Sequence, residues 1–249
     1  MSVMRFRKDV PTGGHAPDTC PSSVGPMFDR IAPTYDLLNH LLSSGRDYAW
    51  RRKVTEQIAS GEALQVLDLA TGTGDLLISL LQRCPNIVRA TGLDISERML
   101  EICREKLQAR GLADRVDLVS ADAAATPFSV DVFDVATMAF GIRNTANPAA
   151  TLTEIYRILK PGGVALILEF SLPANRAVKW CYLKYLRSAV PRIGAAVSGD
   201  RHAYSYLDSS IEGFYRPEAF SALMQQTGFR DVSVIPLTFG VASIYKGTK

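Results

Sequence analysis

One short segment, Asp68-Leu69-Ala70-Thr71-Gly72-Thr73-Gly74-Asp75, combines two glycines with two carboxylates at a spacing suited to ligand binding. Glycines let a ligand approach the backbone closely, because they have no side chain in the way. The G-x-G-x-x-G pattern of dinucleotide sites fails here, since Leu77 stands at the third glycine position. Asp75 would also put a negative charge where a pyrophosphate binds a helix N-terminus. Asp68 and Asp75 instead suit a ligand with a positive amine and no phosphate, such as S-adenosylmethionine, which has an ammonium and a sulfonium.

Two more acidic residues follow the next two apolar runs of the chain. Asp94 comes 20 residues after Gly74, where a carboxylate accepts hydrogen bonds from both ribose hydroxyls. Asp122, followed by Ala123, comes after the third run, where an acid can accept from the amino group of adenine. NAD enzymes share the ribose-binding acid, so Asp94 supports a nucleoside without choosing the cofactor. Together these residues predict a nucleoside site beside the glycine loop.

Strands and helices must alternate to bring these residues to one edge of a sheet. Short buried strands are predicted at 65–69, 87–93, 116–120, 132–138 and 164–170. Helices are predicted at 75–83, after an N-cap at Ser96, and around 152–159, the last of them stopped by Pro161-Gly162-Gly163. Two further strands, expected to form an antiparallel pair, are predicted at 232–235 and 241–245. The order indicates an α/β protein with a mostly parallel sheet and helices on both faces, in which ligands bind at the carboxyl ends of strands.

Composition limits the classes of protein to which this chain can belong. The chain has 249 residues, 47% of them hydrophobic and 21% charged, which is typical of a soluble globular protein. Residues 1–26 are rich in proline and glycine and are predicted to be a flexible tail, with one domain over 27–249. No run approaches the roughly 20 apolar residues of a membrane span, and no secretory signal is evident, so we expect a cytoplasmic protein. A net charge of +3 does not indicate a nucleic-acid partner.

The cysteines give little sign of a disulfide framework or a metal site. Four occur, widely scattered and without a C-x-x-C pair: Cys20, Cys84, Cys103 and Cys181. Buried free thiols are therefore the expectation, and no metal ligand cluster is predicted.

Several segments carry recognisable signatures. They are 28–36 (FDRIAPTYD) with Asn39 and Ser43, 140–144 (FGIRN), 156–163 (YRILKPGG), and 191–194 (PRIG) followed by 204–211 (YSYLDSSI). In these segments the chain resembles the quinone C-methyltransferase family of menaquinone and ubiquinone biosynthesis, and the likeness covers residues 27–249. One departure stands out, because the family usually has His three residues before Trp50, where this chain has Asp47.

The resemblance implies a Rossmann-like class I S-adenosylmethionine-dependent methyltransferase, with a seven-stranded, mostly parallel sheet and an antiparallel C-terminal strand. Within the domain we expect an N-terminal helical cap at 27–60 and an acceptor-site insertion at 170–215. Carried over residue by residue, the cofactor contacts fall on Thr73, Asp94, Asp122 and Ala123, with Ala139 lining the site where the family usually has Ser. With Asp68, Gly72 and Gly74 of the loop, these complete the predicted cofactor site.

The resemblance also implies the reaction, which is methylation of a prenylated quinol on a ring carbon, with demethylmenaquinol the first choice. Loss of the hydroxyl proton gives a phenolate whose ortho carbon attacks the methyl group in line. Arg143, Asn144 and Tyr35 are expected in the acceptor site, with Arg143 stabilising the phenolate. Arg143 is not expected to be the base, because its pKa exceeds about 12. His40 and His202 are candidate bases, although a single histidine more often has a structural role.

Four other functions are weighed against this one. Ubiquinone-pathway methylation, or service of both pathways, is the first alternative, and a methyltransferase for another small phenolic or sterol acceptor is the second. An NAD-dependent oxidoreductase is disfavoured by Asp75 and Leu77, and a non-catalytic binding module by the intact loop with Arg143 and Asn144. A homo-oligomer stays open.

The segment 176–192 predicts contact with a membrane. Between Glu169 and Asp200 there is no acidic residue, whereas five basic ones, Arg176, Lys179, Lys184, Arg187 and Arg192, alternate with aromatic and aliphatic residues. Such a helix suits a bilayer interface, and a long prenyl tail must be reached there. We therefore expect peripheral docking on the inner face of the cytoplasmic membrane. The alternative is a helix that covers the acceptor pocket with its cations merely solvated.

Overall fold

The computed structural model describes residues 29, 32, 36, 37, 39, 40, 43–197 and 209–249, with the backbone alone for 189, 191 and 193–197. The expected tail at 1–26, with Cys20 in it, lies outside these residues, as do Tyr35 and His202.

A seven-stranded sheet forms the centre of the fold, in the order β3-β2-β1-β4-β5-β7-β6. Its strands are β1 Leu64–Leu69, β2 Ile87–Asp94, β3 Val116–Ser120, β4 Phe133–Ala139, β5 Leu159–Phe170, β6 Arg230–Leu237 and β7 Ala242–Thr248. Strand β7 is antiparallel to both of its neighbours, so the other six strands share one direction. This confirms the predicted sheet. The strand order reverses between β1 and β4, which is where such sheets bind ligands.

Helices pack on both faces of the sheet around two buried apolar clusters. They are α1 Arg46–Thr55, α2 Asp75–Arg83, α3 Glu97–Gln108, α4 Pro148–Ile158, α5 Arg176–Val197 and α6 Pro217–Gln226. Ser96 caps α3 as predicted, because its hydroxyl accepts a hydrogen bond of 3.1 Å from the amide of Met99. Trp50 of α1 and Leu77 of α2 belong to one cluster, and Leu152 of α4 and Phe220 of α6 to the other.

The Pro161-Gly162-Gly163 segment does not stop a helix, so that prediction is wrong. Helix α4 already ends at Ile158, and Leu159 is the fully buried first residue of β5, paired with Phe133. The next pair in register joins Val135 to Val164, so residues 160–163 bulge out of the β4–β5 ladder. Gly162 has φ +80°, a conformation that glycine adopts without strain.

The cysteines only partly follow the expectation of buried thiols. Cys84 and Cys103 are buried and free, whereas the free Cys181 of α5 is exposed, because it lies on the outward side of its helix. Burial raises the pKa of the Cys103 thiol to about 12. Among the described residues, no helix combines the length and the hydropathy needed to cross a bilayer.

Candidate cofactor and acceptor sites

The glycine loop joins β1 to α2 at the carboxyl edge of the sheet. Gly72 and Gly74 have φ of +56° and +84°, which other residues adopt only with strain. A side chain at position 74 would also collide with the Sγ atom of Cys103. Both glycines are therefore required by the backbone, and they leave the loop open to a ligand.

Asp94 connects this loop to the end of β2. One of its carboxylate oxygens accepts from the Gly72 amide at 2.8 Å, and the other accepts from the Ser96 amide at 2.9 Å. Burial raises the pKa of Asp94, although these amide donors oppose the shift. A carboxylate has about four acceptor positions, so Asp94 can accept from a ligand hydroxyl in addition to its backbone donors.

Asp68 stabilises the glycine loop through buried hydrogen bonds. It is almost fully buried and accepts from the hydroxyls of Thr71 at 2.7 Å and Thr137 at 2.6 Å. Burial raises the pKa of Asp68 to about 6. Asp68 therefore fixes the conformation of the loop in addition to any contact with a ligand.

The remaining predicted cofactor residues follow β3 and β4. Asp122 lies after β3, where its carboxylate accepts from the Ala124 amide at 2.8 Å, and Ala123 beside it is buried. Ala139 is the last residue of β4. A cavity of about 30 Å³ brings Ala139 together with Asp68, Gly72 and Thr73 of the prediction. We name it the loop cavity; its other lining residues are Arg51, Ala70, Thr71, Asp75, Leu76 and Phe140.

The charge of Asp75 is compensated, which the sequence analysis did not foresee. Lys106 of α3 forms an ion pair with it, and Nη2 of Arg51 lies 3.7 Å from its Oδ2 atom. Asp75 therefore repels a pyrophosphate less than an isolated carboxylate would. The case against a dinucleotide rests instead on Leu77 at the third glycine position.

Asp47, which replaces the usual histidine, is almost fully buried in α1. It accepts from Nδ1 of His40 at 2.6 Å, from the Ser43 hydroxyl at 2.6 Å, and from Nη1 of Arg51. Burial by itself would raise the pKa of Asp47, but the bond from Ser43 and the charge of Arg51 hold it below its usual value. His40, Asp47 and Asp75 have side-chain atoms within 4.8 Å of one another that could bind a metal ion. The Arg51 guanidinium lies beside both carboxylates, and its positive charge disfavours a metal ion there.

Two acidic residues from the N-terminal part of the domain contact the cofactor side of the sheet, one at the glycine loop and one at the start of α3. Asp36 accepts from the Thr73 hydroxyl at 2.5 Å and pairs with Lys106 at 2.9 Å. Asp29 accepts from the Ser96 hydroxyl at 2.5 Å. Asp36 thus contacts the glycine loop, and Asp29 contacts the N-terminus of α3.

Arg143 lies in the turn after β4, and its ion pair is buried. Its Nη1 atom donates to Glu169 at 2.6 Å and to the Phe140 carbonyl at 2.8 Å, while Nε has no partner among the described residues. Burial raises the pKa of the fully buried Glu169, and the charge of Arg143 opposes that shift. Asn144 also donates to the Phe140 carbonyl, at 3.2 Å. The pair therefore holds Phe140, whose φ is +57°, at the end of β4.

A second, larger cavity of about 250 Å³ lies between α1, α5 and the end of β5. We name it the apolar cavity; its lining includes Trp50, Phe170, Tyr182, Tyr185, Leu186, Val190, Ile211 and Val241. The rings of Phe140 and Phe170 are 4.6 Å apart between centroids, and Trp50 is about 6 Å from both. Since Phe140 lines the loop cavity and Phe170 the apolar one, this aromatic wall separates the two cavities.

Sequence reasoning missed Glu169, Arg51 and Trp50. A signal existed for Glu169, because it is a single carboxylate closing a strongly apolar strand, where an acid needs a buried partner. Arg51 follows Asp47 by one helical turn, the spacing of an ion pair. Tyr35 lies outside the described residues, so its placement stays a prediction.

Comparison with known proteins agrees with this geometry. The chain matches the ubiE/COQ5 methyltransferase family over residues 18–249. It is 45% identical to the demethylmenaquinone methyltransferase of Thermus thermophilus, over 90% of this chain and 100% of that protein. It is 44% identical to the ubiquinone/menaquinone biosynthesis C-methyltransferase UbiE of Geobacter sulfurreducens, over 90% of this chain and 87% of that protein.

Solved structures show the same fold at low sequence identity. A SAM-dependent methyltransferase from Thermotoga maritima, described as a possible histamine N-methyltransferase, has a TM-score of 0.63 at 20% identity, over 91% of this chain and 99% of that one. The [4+2]-cyclase SpnF has a TM-score of 0.60 at 19% identity, over 96% and 99% of the two chains. These likenesses support the class I methyltransferase fold.

Proposed function

Because this chain belongs to the ubiE/COQ5 methyltransferase family and uses S-adenosylmethionine, we propose that it methylates a prenylated quinol on a ring carbon. Demethylmenaquinol is the first choice of acceptor, and a methoxy-polyprenyl-benzoquinol is the second. The observation that carries the proposal is the apolar cavity, whose lining residues Trp50 and Phe170 pack against Phe140 of the loop cavity. A cavity of this kind suits a flat ring with an apolar tail.

The residues present fit the cofactor. Asp94 is placed to accept from ribose, and Asp122 after β3 can accept from the amino group of adenine. Gly72 and Gly74 expose the loop backbone, and Thr73 and Ala139 line the same cavity. When bound, S-adenosylmethionine supplies an electrophilic methyl group.

Arg143 and Asn144 are proposed to act on the acceptor. An unpartnered buried donor costs about 1–3 kcal/mol, and the Nε–H of Arg143 has no partner among the described residues, so it is suited to an acceptor oxygen. A guanidinium at this point favours the phenolate over the neutral quinol, which makes the ortho carbon nucleophilic. Glu169 keeps the guanidinium in one orientation, and Asn144 holds the adjacent Phe140 carbonyl. Tyr35 is proposed to line the same site.

Methyl transfer to two acceptors, assayed side by side, tests the function directly. With S-adenosylmethionine present, a prenylated naphthoquinol and a prenylated benzoquinol are supplied in the same detergent, and methylated products are followed by mass spectrometry. We expect methylation of the naphthoquinol with the higher kcat/KM. Faster turnover of the benzoquinol would reverse the choice of acceptor, and no transfer to either would contradict the proposal.

Two exposed aromatic residues, one on α5 and one in the turn before β7, support peripheral contact with a membrane. On α5, Trp180 is 63% exposed, with the Lys184 ammonium 5.1 Å from its ring. Phe239 is 84% exposed in a turn where Thr238, Phe239 and Gly240 all have positive φ. The Trp50 indole fixes that turn by donating to Thr238 at 2.8 Å. Exposed aromatic rings beside cations suit the headgroup region of an anionic bilayer.

Among the described residues, Arg187 of α5 forms an ion pair with Glu212. Arg187 donates to both carboxylate oxygens of Glu212, at 2.7 and 2.8 Å, so it contributes less to an external anionic surface. Lys184 and Arg176 are exposed and Lys179 is half-buried. The proposed docking surface therefore consists of α5 with the Phe239 turn.

Charge reversal on α5 is expected to abolish membrane docking. Each cation near an anionic surface contributes about 1 kcal/mol at low salt, so Lys179→Glu/Lys184→Glu should lower recovery with anionic vesicles at least tenfold. Flotation with anionic and neutral vesicles measures this. The matched control is Arg98→Glu/Arg104→Glu, the same charge change on exposed positions of α3 at the other end of the sheet. Equal recovery of wild type and the α5 variant would exclude α5 as the docking surface.

A further inference from the structure

The loop cavity has a buried cation in its lining that the assigned cofactor contacts do not use. Arg51 is 7% exposed and lines the cavity together with Asp68 and Asp75. Its Nη1 atom is bound by Asp47, but Nη2 lies 3.7 Å from Asp75, beyond the length of a good hydrogen bond. A guanidinium has five N–H donors, so this side retains donor capacity toward the cavity.

The other nearby ammonium is committed elsewhere. Lys106 is bound by Asp75 and Asp36, and it does not line the loop cavity. Arg51 is thus the cation that the described part of the cavity wall offers to a ligand.

The cofactor has a group that needs such a cation. Its amino-acid moiety is a zwitterion, with a carboxylate as well as an ammonium. A carboxylate taken out of water is costly unless it is paired, and a planar guanidinium can bind it through two parallel hydrogen bonds. We propose that Arg51 binds the carboxylate of the amino-acid moiety of S-adenosylmethionine and that Asp47 positions it. This inference rests on the assigned cofactor, not on the acceptor.

Asp47 is built to hold Arg51 in place. His40 and Ser43 both donate to the Asp47 carboxylate, which leaves it a fixed acceptor for Nη1 one helical turn away. The guanidinium also lies 6.0 Å from the centroid of the Phe140 ring, which borders the same cavity. With one edge occupied by Asp47, the other edge of the guanidinium is the one available to the cofactor.

The test compares two nucleosides that differ by the amino-acid moiety. S-adenosylhomocysteine carries the carboxylate, whereas 5′-methylthioadenosine keeps the adenosine and sulfur without it. Calorimetric titration of Arg51→Gln should show affinity for S-adenosylhomocysteine reduced about 10- to 100-fold, with that for methylthioadenosine changed less than about threefold. Arg51→Lys should recover part of the loss, since it keeps the charge without the planar fork.

Two further variants sharpen the result. Arg52→Gln removes the adjacent, largely exposed arginine of the same helix and should leave both affinities unchanged. Asp47→Asn should also weaken binding of S-adenosylhomocysteine more than binding of methylthioadenosine. The difference should be smaller than in Arg51→Gln, because the guanidinium is loosened but still present. A purely structural role for Asp47 would lower both affinities together and keep their ratio.

The outcomes separate the role of Arg51 from the assignment of the cofactor and of the acceptor. Equal weakening of both nucleosides by Arg51→Gln, or weakening of neither, overturns the proposal. A wild-type protein that binds neither nucleoside would overturn the cofactor assignment as well, whereas failure in the quinol assay with intact binding would leave the role of Arg51 standing.

Discussion

Replacement of Arg143 by alanine is expected to lower kcat about a hundredfold or more while cofactor affinity stays within about threefold of wild type. The guanidinium that stabilises phenolate charge would be lost, which costs on the order of 3 kcal/mol in the transition state. Stability should fall as well, because Glu169 is fully buried and Arg143 is its charged partner. Removing one member of a buried ion pair costs about 3–5 kcal/mol.

A second variant separates the two effects. In Arg143→Met/Glu169→Gln neither charge remains, so denaturant unfolding should recover most of the lost stability while turnover stays low. Titration with S-adenosylhomocysteine checks that the folded variants bind the cofactor product. If the double variant regained activity along with stability, Arg143 would be a structural residue, with no direct role toward the acceptor.

Replacement of Asp94 by alanine is expected to abolish measurable cofactor binding in the micromolar range. Two hydrogen bonds from ribose to a charged acceptor would be lost, each contributing about 1.5–3 kcal/mol. The Gly72 and Ser96 amides would lose their acceptor at the same time, so the glycine loop itself would be less ordered. Calorimetric titration with S-adenosylmethionine and with NAD measures both affinity and selectivity.

The matched control for this change is Asp117→Ala. Asp117 is a half-exposed carboxylate of the neighbouring strand, paired on the surface with Arg89. Its removal should leave cofactor binding unchanged and cost at most about 1 kcal/mol of stability. Tight NAD binding by wild type, or normal S-adenosylmethionine binding by the Asp94 variant, would contradict the site.

Local signals predicted most of the fold. The apolar runs that became β1 to β5 and the cap at Ser96 depend on nearby residues, so their sequence carries the information. The start of β5 could not be predicted in this way, because Pro161-Gly162-Gly163 is a sequence that commonly ends a helix. Only pairing of Leu159 with Phe133, 26 residues earlier, places those residues in a bulge.

The candidate site, too, could be predicted from the sequence only in part. The glycines and acidic residues of the site can be predicted from the sequence, because the α/β topology brings the ends of the strands to one edge of the sheet. The partners of Arg143 and Arg51 are not, because Glu169 and Asp75 lie 26 and 24 residues away along the chain and meet them only in the folded state. The sequence thus indicates which groups can do chemistry, and tertiary packing decides which of them are already paired.

The close approach of Gly74 to the Cys103 thiol has a consequence for chemical durability. Quinols oxidise readily, and the resulting quinones are electrophiles that arylate thiolates. A thiol behind the cofactor loop would then be a weak point, since any added group would displace Gly74. Cys103 is fully buried, and burial also raises the pKa of its thiol, so both contact with a quinone and formation of the thiolate are disfavoured. Burial of this sulfur against the cofactor loop therefore favours resistance of a proposed quinol enzyme to its own oxidised substrate.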